Sequence, residues 1–327
     1  MMHRDTQSKI GNPKSKIVVS GLINIETTVR VEGFPIDYTP VRYPFFGVQS
    51  SVSGVGYNVA KALTTLGDEV RFLSLIGDDN AGGLVTAALA ADGIPAAGVL
   101  PQLAQTAQSA ILYDPTGRRM INTDLKDVQE QIYPPDQVRA ALAGCDMAAL
   151  CNVNFSRPML AHAQAAGVPI ATDVHTIADL DDPYNRDFMA AAHLLAMSDE
   201  HLPVSPEAWV GQLVNRYGTQ IALVGLGGDG CLLWVKRDNF LERIPAVFTR
   251  PVVNTIGAGD ALFSSFLHFF AATGDPYAAI QRAVIFASFK IGETEAAAGF
   301  LDEAGMTQFV PNLSQQSKIH NPQSTIP

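Results

Sequence analysis

Ile221-Ala222-Leu223-Val224-Gly225-Leu226-Gly227-Gly228-Asp229-Gly230, running on into Cys231-Leu232-Leu233-Trp234-Val235, admits two readings that lead to different α/β folds. Its glycines satisfy G-x-G-x-x-G directly after an apolar run, the fingerprint of a dinucleotide site. Such a site needs the glycines to open a helix, so that the helix dipole faces the pyrophosphate. A second strand-like run follows here instead. The segment therefore reads as two strands joined by a glycine turn, and the dinucleotide fold is rejected.

Outward from this hairpin, short apolar runs alternate with longer helix-periodic ones. Strands are predicted at 17–19, with an exit at Gly21, and at 70–76, 147–151, 169–172 and 221–224. Between the first two, Val59, Ala62, Leu63 and Leu66 keep the i, i+3, i+4, i+7 spacing of a buried helix face, and Gly67 supplies the stop. Further helices are predicted over 81–91, 158–166 and 261–272. The alternation implies an α/β fold, a mostly parallel central sheet with helices on both faces and ligands at the carboxyl ends of its strands.

Two stretches interrupt the pattern. Residues 29–48 and 109–121 read as strands with turns, the second carrying Asp114-Pro115-Thr116-Gly117 as its turn. They are predicted to form a small β-sheet lid. Phe34, Tyr38, Tyr43, Phe45 and Phe46 crowd the first stretch, and so aromatic a sheet must cover a substrate or another subunit, the latter being a homodimer through the lid. Residues 16–311 are expected to form one domain, with polar, flexible tails at 1–15 and 312–327.

Composition narrows the function. The chain has 327 residues, 47% of them hydrophobic and only 17% charged, and 22 Lys and Arg against 32 Asp and Glu give a formal charge of −10. Without a basic block there is no footprint for a nucleic acid. No apolar run reaches the ~18 residues of a membrane span and the start lacks a secretory stretch, so a cytoplasmic protein is expected. Cys145, Cys151 and Cys231 are odd in number and show no C-x-x-C spacing, which reads as reduced thiols.

Chemistry concentrates in Asn254-Thr255-Ile256-Gly257-Ala258-Gly259-Asp260, just ahead of the predicted 261–272 helix. Small residues let a ligand approach the backbone, where free N–H groups and the positive end of the helix dipole form an anion hole. Asp260, in the first turn, is placed to take a proton from a hydroxyl nucleophile. Spacing alone fits equally well a tight turn with an acidic helix cap.

Two further segments break that tie: Ser53-Gly54-Val55-Gly56-Tyr57-Asn58, and Gly21-Leu22-Ile23-Asn24-Ile25-Glu26 after the first strand. In this order and spacing the three motifs, over about 16–311, resemble the ribokinase, or PfkB carbohydrate kinase, family. The resemblance implies a ribokinase-like fold and phosphoryl transfer from ATP with Mg²⁺. It implies that Asp260 is the general base, with the amides of Gly257, Ala258 and Gly259 around the transferring group. Asn24, Glu26, Gly54, Asn58 and Asn154 fall at acceptor-binding positions, although position alone also makes Asn58 a helix N-cap. The Gly225–Gly230 turn resembles a nucleotide-lining segment of that family, which puts Gly225, Gly227, Gly230 and Thr255 on the nucleotide side. The adenine pocket is expected around 283–298. A P-loop is absent, because no Gly-Lys dipeptide occurs.

The chain departs from the family pattern in several places. Asn254 stands for an aspartate, which keeps shape and loses a charge. His201 in Ser198-Asp199-Glu200-His201 stands near an expected acid, and as an oxygen-preferring ion Mg²⁺ makes it a poor ligand, so no metal-binding residue is assigned. Glu26 stands for a sugar-binding aspartate, Ser53 for a glycine and Val55 for a Lys or small polar residue. The acceptor pocket is thus altered more than the transfer site. The reading is phosphorylation of a primary hydroxyl of a small sugar, ribose- or fructose-like. A nucleoside kinase is the alternative, and a non-catalytic sugar or nucleotide sensor is a second one.

Overall fold

A computed structural model describes residues 14–309 of the chain. The tails expected at 1–15 and 312–327 therefore lie outside the described residues, apart from Lys14 and Ser15. The strands are β1 (Lys16–Ser20), β2 (Asn24–Arg30), β3 (Val48–Ser53), β4 (Glu69–Gly77), β5 (Val99–Leu103), β6 (Gln108–Tyr113), β7 (Arg119–Asp124), β8 (Met147–Leu150), β9 (Ile170–Asp173), β10 (Leu194–Ser198), β11 (Ile221–Gly225), β12 (Cys231–Val235) and β13 (Phe240–Ile244). The helices are α1 (Val55–Leu66), α2 (Asn80–Ala91), α3 (Pro135–Leu142), α4 (Arg157–Ala165), α5 (Arg186–Ala191), α6 (Pro206–Tyr217), α7 (Ala258–Thr273), α8 (Pro276–Lys290) and α9 (Glu303–Thr307).

The large sheet runs β13-β12-β11-β10-β9-β8-β1-β4-β5. From β11 to β5 every pairing is parallel, and β12 and β13 close the edge antiparallel. The opening hairpin is thus real, with Gly225 opposite Cys231. Alternation along β1 explains the layering: Ile17 and Val19 join a core with Phe263, Phe266 and Phe286 of α7 and α8, while Val18 joins the opposite core with Met159, Phe188 and Trp209. Burying both faces of a parallel sheet requires such continuous apolar strands.

The chain winds one way from β1 through β4 to β5, and the other way from β8 to β11, so strand order reverses between β1 and β8. Open α/β sheets form their ligand crevice outside the carboxyl ends of strands at such a switch point. Gly21 and Asn152 lie just beyond those two ends. Two glycines make close packing there possible: a Cβ on Gly56, at the start of α1, would fall 2.4 Å from the Gly21 carbonyl carbon.

A separate sheet has the order β3-β2-β6-β7. Its β6–β7 hairpin matches the expected strands at 109–121, closed by the Asp114–Arg118 turn. The other expected segment needs correction. Residues 31–47 form no strand, and the sheet is built instead from β2 and β3 on either side of them. Pro35, Pro40 and Pro44 remove the amides a ladder would need. Four of the five aromatics of this loop stand outward, Tyr38 at 91% and Phe46 at 100% exposure, while Phe34 is half-buried under the Arg118 guanidinium.

All three cysteines are free thiols; Cys151 and Cys231 are buried and Cys145 is half-buried. Among the described residues no helix is long and apolar enough to cross a membrane.

Candidate active site

Asp260 enters the site on the first turn of α7. The helix is capped by Gly257 at φ 77°, a left-handed conformation that favours glycine. Space adds to that requirement, since a Cβ on Gly257 would lie 2.6 Å from the Ala296 carbonyl oxygen. Asp260 is therefore in the helix and is not its cap. The Ala258 N–H donates to Thr255 O at 3.2 Å and closes the turn. Of the three amides expected to bind an anion, those of Gly257 and Gly259 are left without a protein acceptor among the described residues.

Asn58 supplies the link to α1. Helix α1 is capped by Gly54 at φ 106°, so Asn58 sits one turn inside and does not cap the helix. Its Nδ2 donates to Asp260 Oδ2 at 2.6 Å, and its Oδ1 accepts from the Ser53 hydroxyl at 3.4 Å. Gly54 must be glycine for another reason too, because a Cβ would press within 2.6 Å of the Leu22 carbonyl. The acceptor-side segments after β1 and before α1 are thereby locked together.

Asn24 and Glu26 lie on β2 of the small sheet, both buried. Asn24 Nδ2 donates to Ser109 Oγ at 2.5 Å. Asn24 Oδ1 and Glu26 Oε1 are buried acceptors that no protein donor meets. Unpaired buried acceptors are costly and are tolerated where a ligand supplies the donors. Two such atoms suit the hydroxyls of a polyol.

Electrostatics couple these groups. Burial pushes Asp260 above the ordinary carboxylate range and the charge of Asp173 adds to this, while the Asn58 hydrogen bond and the charges of His175 and Lys290 oppose it. Glu26 is raised first by burial, with the Ser53 hydroxyl opposing and the Asp260 charge adding.

The remaining expected positions are distributed differently. Asn154 lies beyond β8, where its Nδ2 donates to Gln129 O at 3.1 Å and its Oδ1 accepts from Arg157; none of its hydrogen bonds reaches Asp260. Gly225, Gly227 and Gly230 form the β11–β12 turn, with Gly227 and Gly230 at positive φ. Thr255 is exposed and its Oγ accepts from Arg119 Nη1 of the small sheet at 3.3 Å. Of the expected adenine segment, the α8 part is largely core.

Three groups escaped sequence reasoning. Arg119 brings a guanidinium from β7 to the turn. Asp173, which ends β9, and His175 just beyond it act on Asp260 by charge. Lys290 ends α8 with its side chain fully buried and its Nζ donating to Ile256 O. Its position had a signal: Ala283, Phe286 and Lys290 follow helical spacing on one buried face.

Strand ends, glycine turn and carboxylate come together at the switch point of the sheet, and the fold is that of the ribokinase-like phosphotransferases. The chain belongs to the pfkB family of carbohydrate kinases, whose model matches residues 14–304. It is similar to acarbose 7(IV)-phosphotransferase of Actinoplanes sp., at 27% identity over 89% of this chain and 96% of that one. It is also similar to an ATP-dependent ribose-1-phosphate kinase of Halopiger xanaduensis, at 26% identity over 88% of this chain and 98% of that protein. Among solved structures, the microbiome-derived acarbose kinase Mak1 matches with a TM-score of 0.81 and 26% identity, covering 91% of this chain and 99% of that one. The protein is accordingly a kinase of a sugar or a nucleoside, with ATP as the implied phosphoryl donor.

Proposed function

We propose that the protein transfers the γ-phosphoryl group of ATP directly to a primary hydroxyl of a sugar. The carrying observation is the Asp260 carboxylate at the start of α7, held by Asn58 beside amides that lack a protein acceptor. Asp260 takes the hydroxyl proton as the hydroxyl oxygen attacks the γ-phosphorus; the bond from that phosphorus to the β–γ bridging oxygen breaks and ADP leaves. The Gly257 and Gly259 amides stabilise charge on the transferring group from fixed positions. Asn24 and Glu26 accept hydrogen bonds from further acceptor hydroxyls, and the β11–β12 turn flanks the nucleotide.

No group of three or more His, Cys, Asp or Glu side chains that could hold a metal forms among the described residues. Mg²⁺ is therefore assigned to the nucleotide, whose phosphates need few protein ligands to carry it. Residues 16–311 act as one catalytic unit in this reading, with the small sheet as a lid that excludes water. The exposed aromatics of residues 31–47 favour a nucleoside as the second reading, because they offer stacking faces. They are also where a homodimer contact is placed, and sedimentation of the purified protein tests it.

A panel of pentoses, hexoses, ribonucleosides and acarbose with ATP and Mg²⁺, scored by ADP release, tests the acceptor. Transfer to a sugar supports the first reading, transfer to nucleosides alone replaces it with the second, and binding without ADP release marks a sensor. In the active pairing, Asp260→Asn is expected to lower kcat by about 10²–10⁴-fold with the fold intact. Unchanged turnover removes Asp260 as the base.

A further inference from the structure

Lys290 is an expensive residue to bury. Its side chain has 0% exposure, it forms no salt bridge among the described residues, and its Nζ donates to the carbonyl of Ile256. A methionine or leucine would fill such a space without a desolvation penalty, so a buried ammonium without an ion-pair partner needs a reason. Its surroundings supply one. Asp260 faces it from α7, Glu26 from β2 and Glu293 from beyond the end of α8, and Arg250 is the cation nearby. Around Asp260 itself stand Asp173 and His175.

The residue it holds is the one before Gly257. In a planar trans peptide the C=O and the following N–H point in opposite directions. An Ile256 carbonyl drawn to Lys290 therefore turns the Gly257 N–H the other way, to the side on which no protein acceptor meets it. The rest of the turn is fastened to the same stretch of chain after α8. Asn254 Nδ2 donates to Thr294 O at 2.6 Å, Asn254 Oδ1 accepts from Ile256 N at 2.9 Å, and Val253 N donates to Ile291 O at 2.8 Å.

We propose that Lys290 is a positioning residue for phosphoryl transfer: its ammonium orients the Ile256–Gly257 peptide so that the Gly257 N–H faces the transferring group. Its charge also opposes the rise that burial gives Asp260. The proposal rests on the kinase reading above. Burial pushes the Lys290 ammonium down from its ordinary value to about 8, with the Asp260 and Glu26 charges opposing. The cation is present below that pH and lost above it.

The test compares Lys290→Met and Lys290→Gln with the parent protein. In Lys290→Met, kcat is expected to fall about 100-fold, the cost of one misplaced oxyanion donor, with the acceptor KM within about twofold, because the lost donor meets the phosphoryl group and not the acceptor. The acid limb of the kcat profile moves to higher pH, and the alkaline limb of the parent near pH 8 disappears. Melting temperature holds or rises, because a buried charge has been removed. Lys290→Gln keeps a neutral donor for Ile256 O, so it is expected to recover part of kcat with the acid limb still displaced. Should the Met variant fail to fold, the Gln variant and the parent's alkaline limb decide. Parent-like kcat in a folded variant, or a fall in kcat that leaves both limbs in place, overturns the proposal. A turnover-independent measurement separates it from the kinase reading: calorimetric affinity for a non-hydrolysable ATP analogue at pH 7 is expected to weaken at least about tenfold in Lys290→Met, as lost oxyanion contacts imply. If the parent phosphorylates no acceptor, the kinase reading fails, and unchanged analogue affinity in the variant overturns the Lys290 proposal separately.

Discussion

Replacing Asn58 with alanine isolates the hydrogen bond that tunes the base. The Asn58 amide, 3% exposed, donates to the Asp260 carboxylate at 2.6 Å. A hydrogen bond to a charged partner contributes about 1.5–3 kcal/mol, and one pKa unit corresponds to about 1.4 kcal/mol. Because the bond favours the ionised form, its loss raises Asp260 further above a value that burial has already raised. The base works only when deprotonated, so the acid limb of kcat/KM moves to higher pH, and at a fixed pH on that limb the rate falls roughly ten- to a hundredfold, while the plateau at high pH changes little. Stability follows the opposite sense. A carboxyl raised in the folded state favours folding below its unfolded value, and that contribution is lost as pH rises through the folded one. ADP release measured from pH 5 to 9, with melting curves over the same range, reads both. An acid limb that stays in place in a folded Asn58→Ala protein refutes the assignment of Asp260 as the titrating base.

Two other substitutions probe the frame around the turn. Asn254→Asp keeps the acceptor for Ile256 N but replaces the donor to Thr294 O with a carboxylate oxygen against a carbonyl; a loss of about 1–3 kcal/mol in stability is expected, read by denaturant unfolding. Gly56→Ala puts a methyl 2.4 Å from the Gly21 backbone and forces β1 and α1 apart. That overpacking is expected to cost about 1–3 kcal/mol and to raise the acceptor KM, since Asn24 and Asn58 lie within three residues of the two glycines.

The parallel sheet was legible because strands buried on both faces need short, unbroken apolar runs, such as Ile17-Val18-Val19 and Ile221-Ala222-Leu223-Val224. The turn at Gly257 was legible because its small residues leave the backbone open and Gly257 takes a left-handed φ, and the carboxylate because it opens a helix. What sequence reasoning lost were features set by distant partners. Asn58 looks like a helix cap until Asp260, 202 positions away, is seen to accept from it. Lys290 looks like an ordinary basic residue at a helix end until its carbonyl partner is known. Within the stretch 29–48, read as strands with turns, Pro35, Pro40 and Pro44 are the residues that forbid a ladder.

Glu26 and Asn24 ride on β2 of the small sheet, whereas Asp260 rides on α7 of the large body. In the proposed function, selection of the acceptor and activation of its hydroxyl are carried by separate pieces of scaffold that meet at the Gly21 and Gly54 crossings. Substitutions on the strands can retune what is accepted without disturbing the geometry of transfer. The same division allows one phosphoryl-transfer turn to be paired with many different acceptor walls.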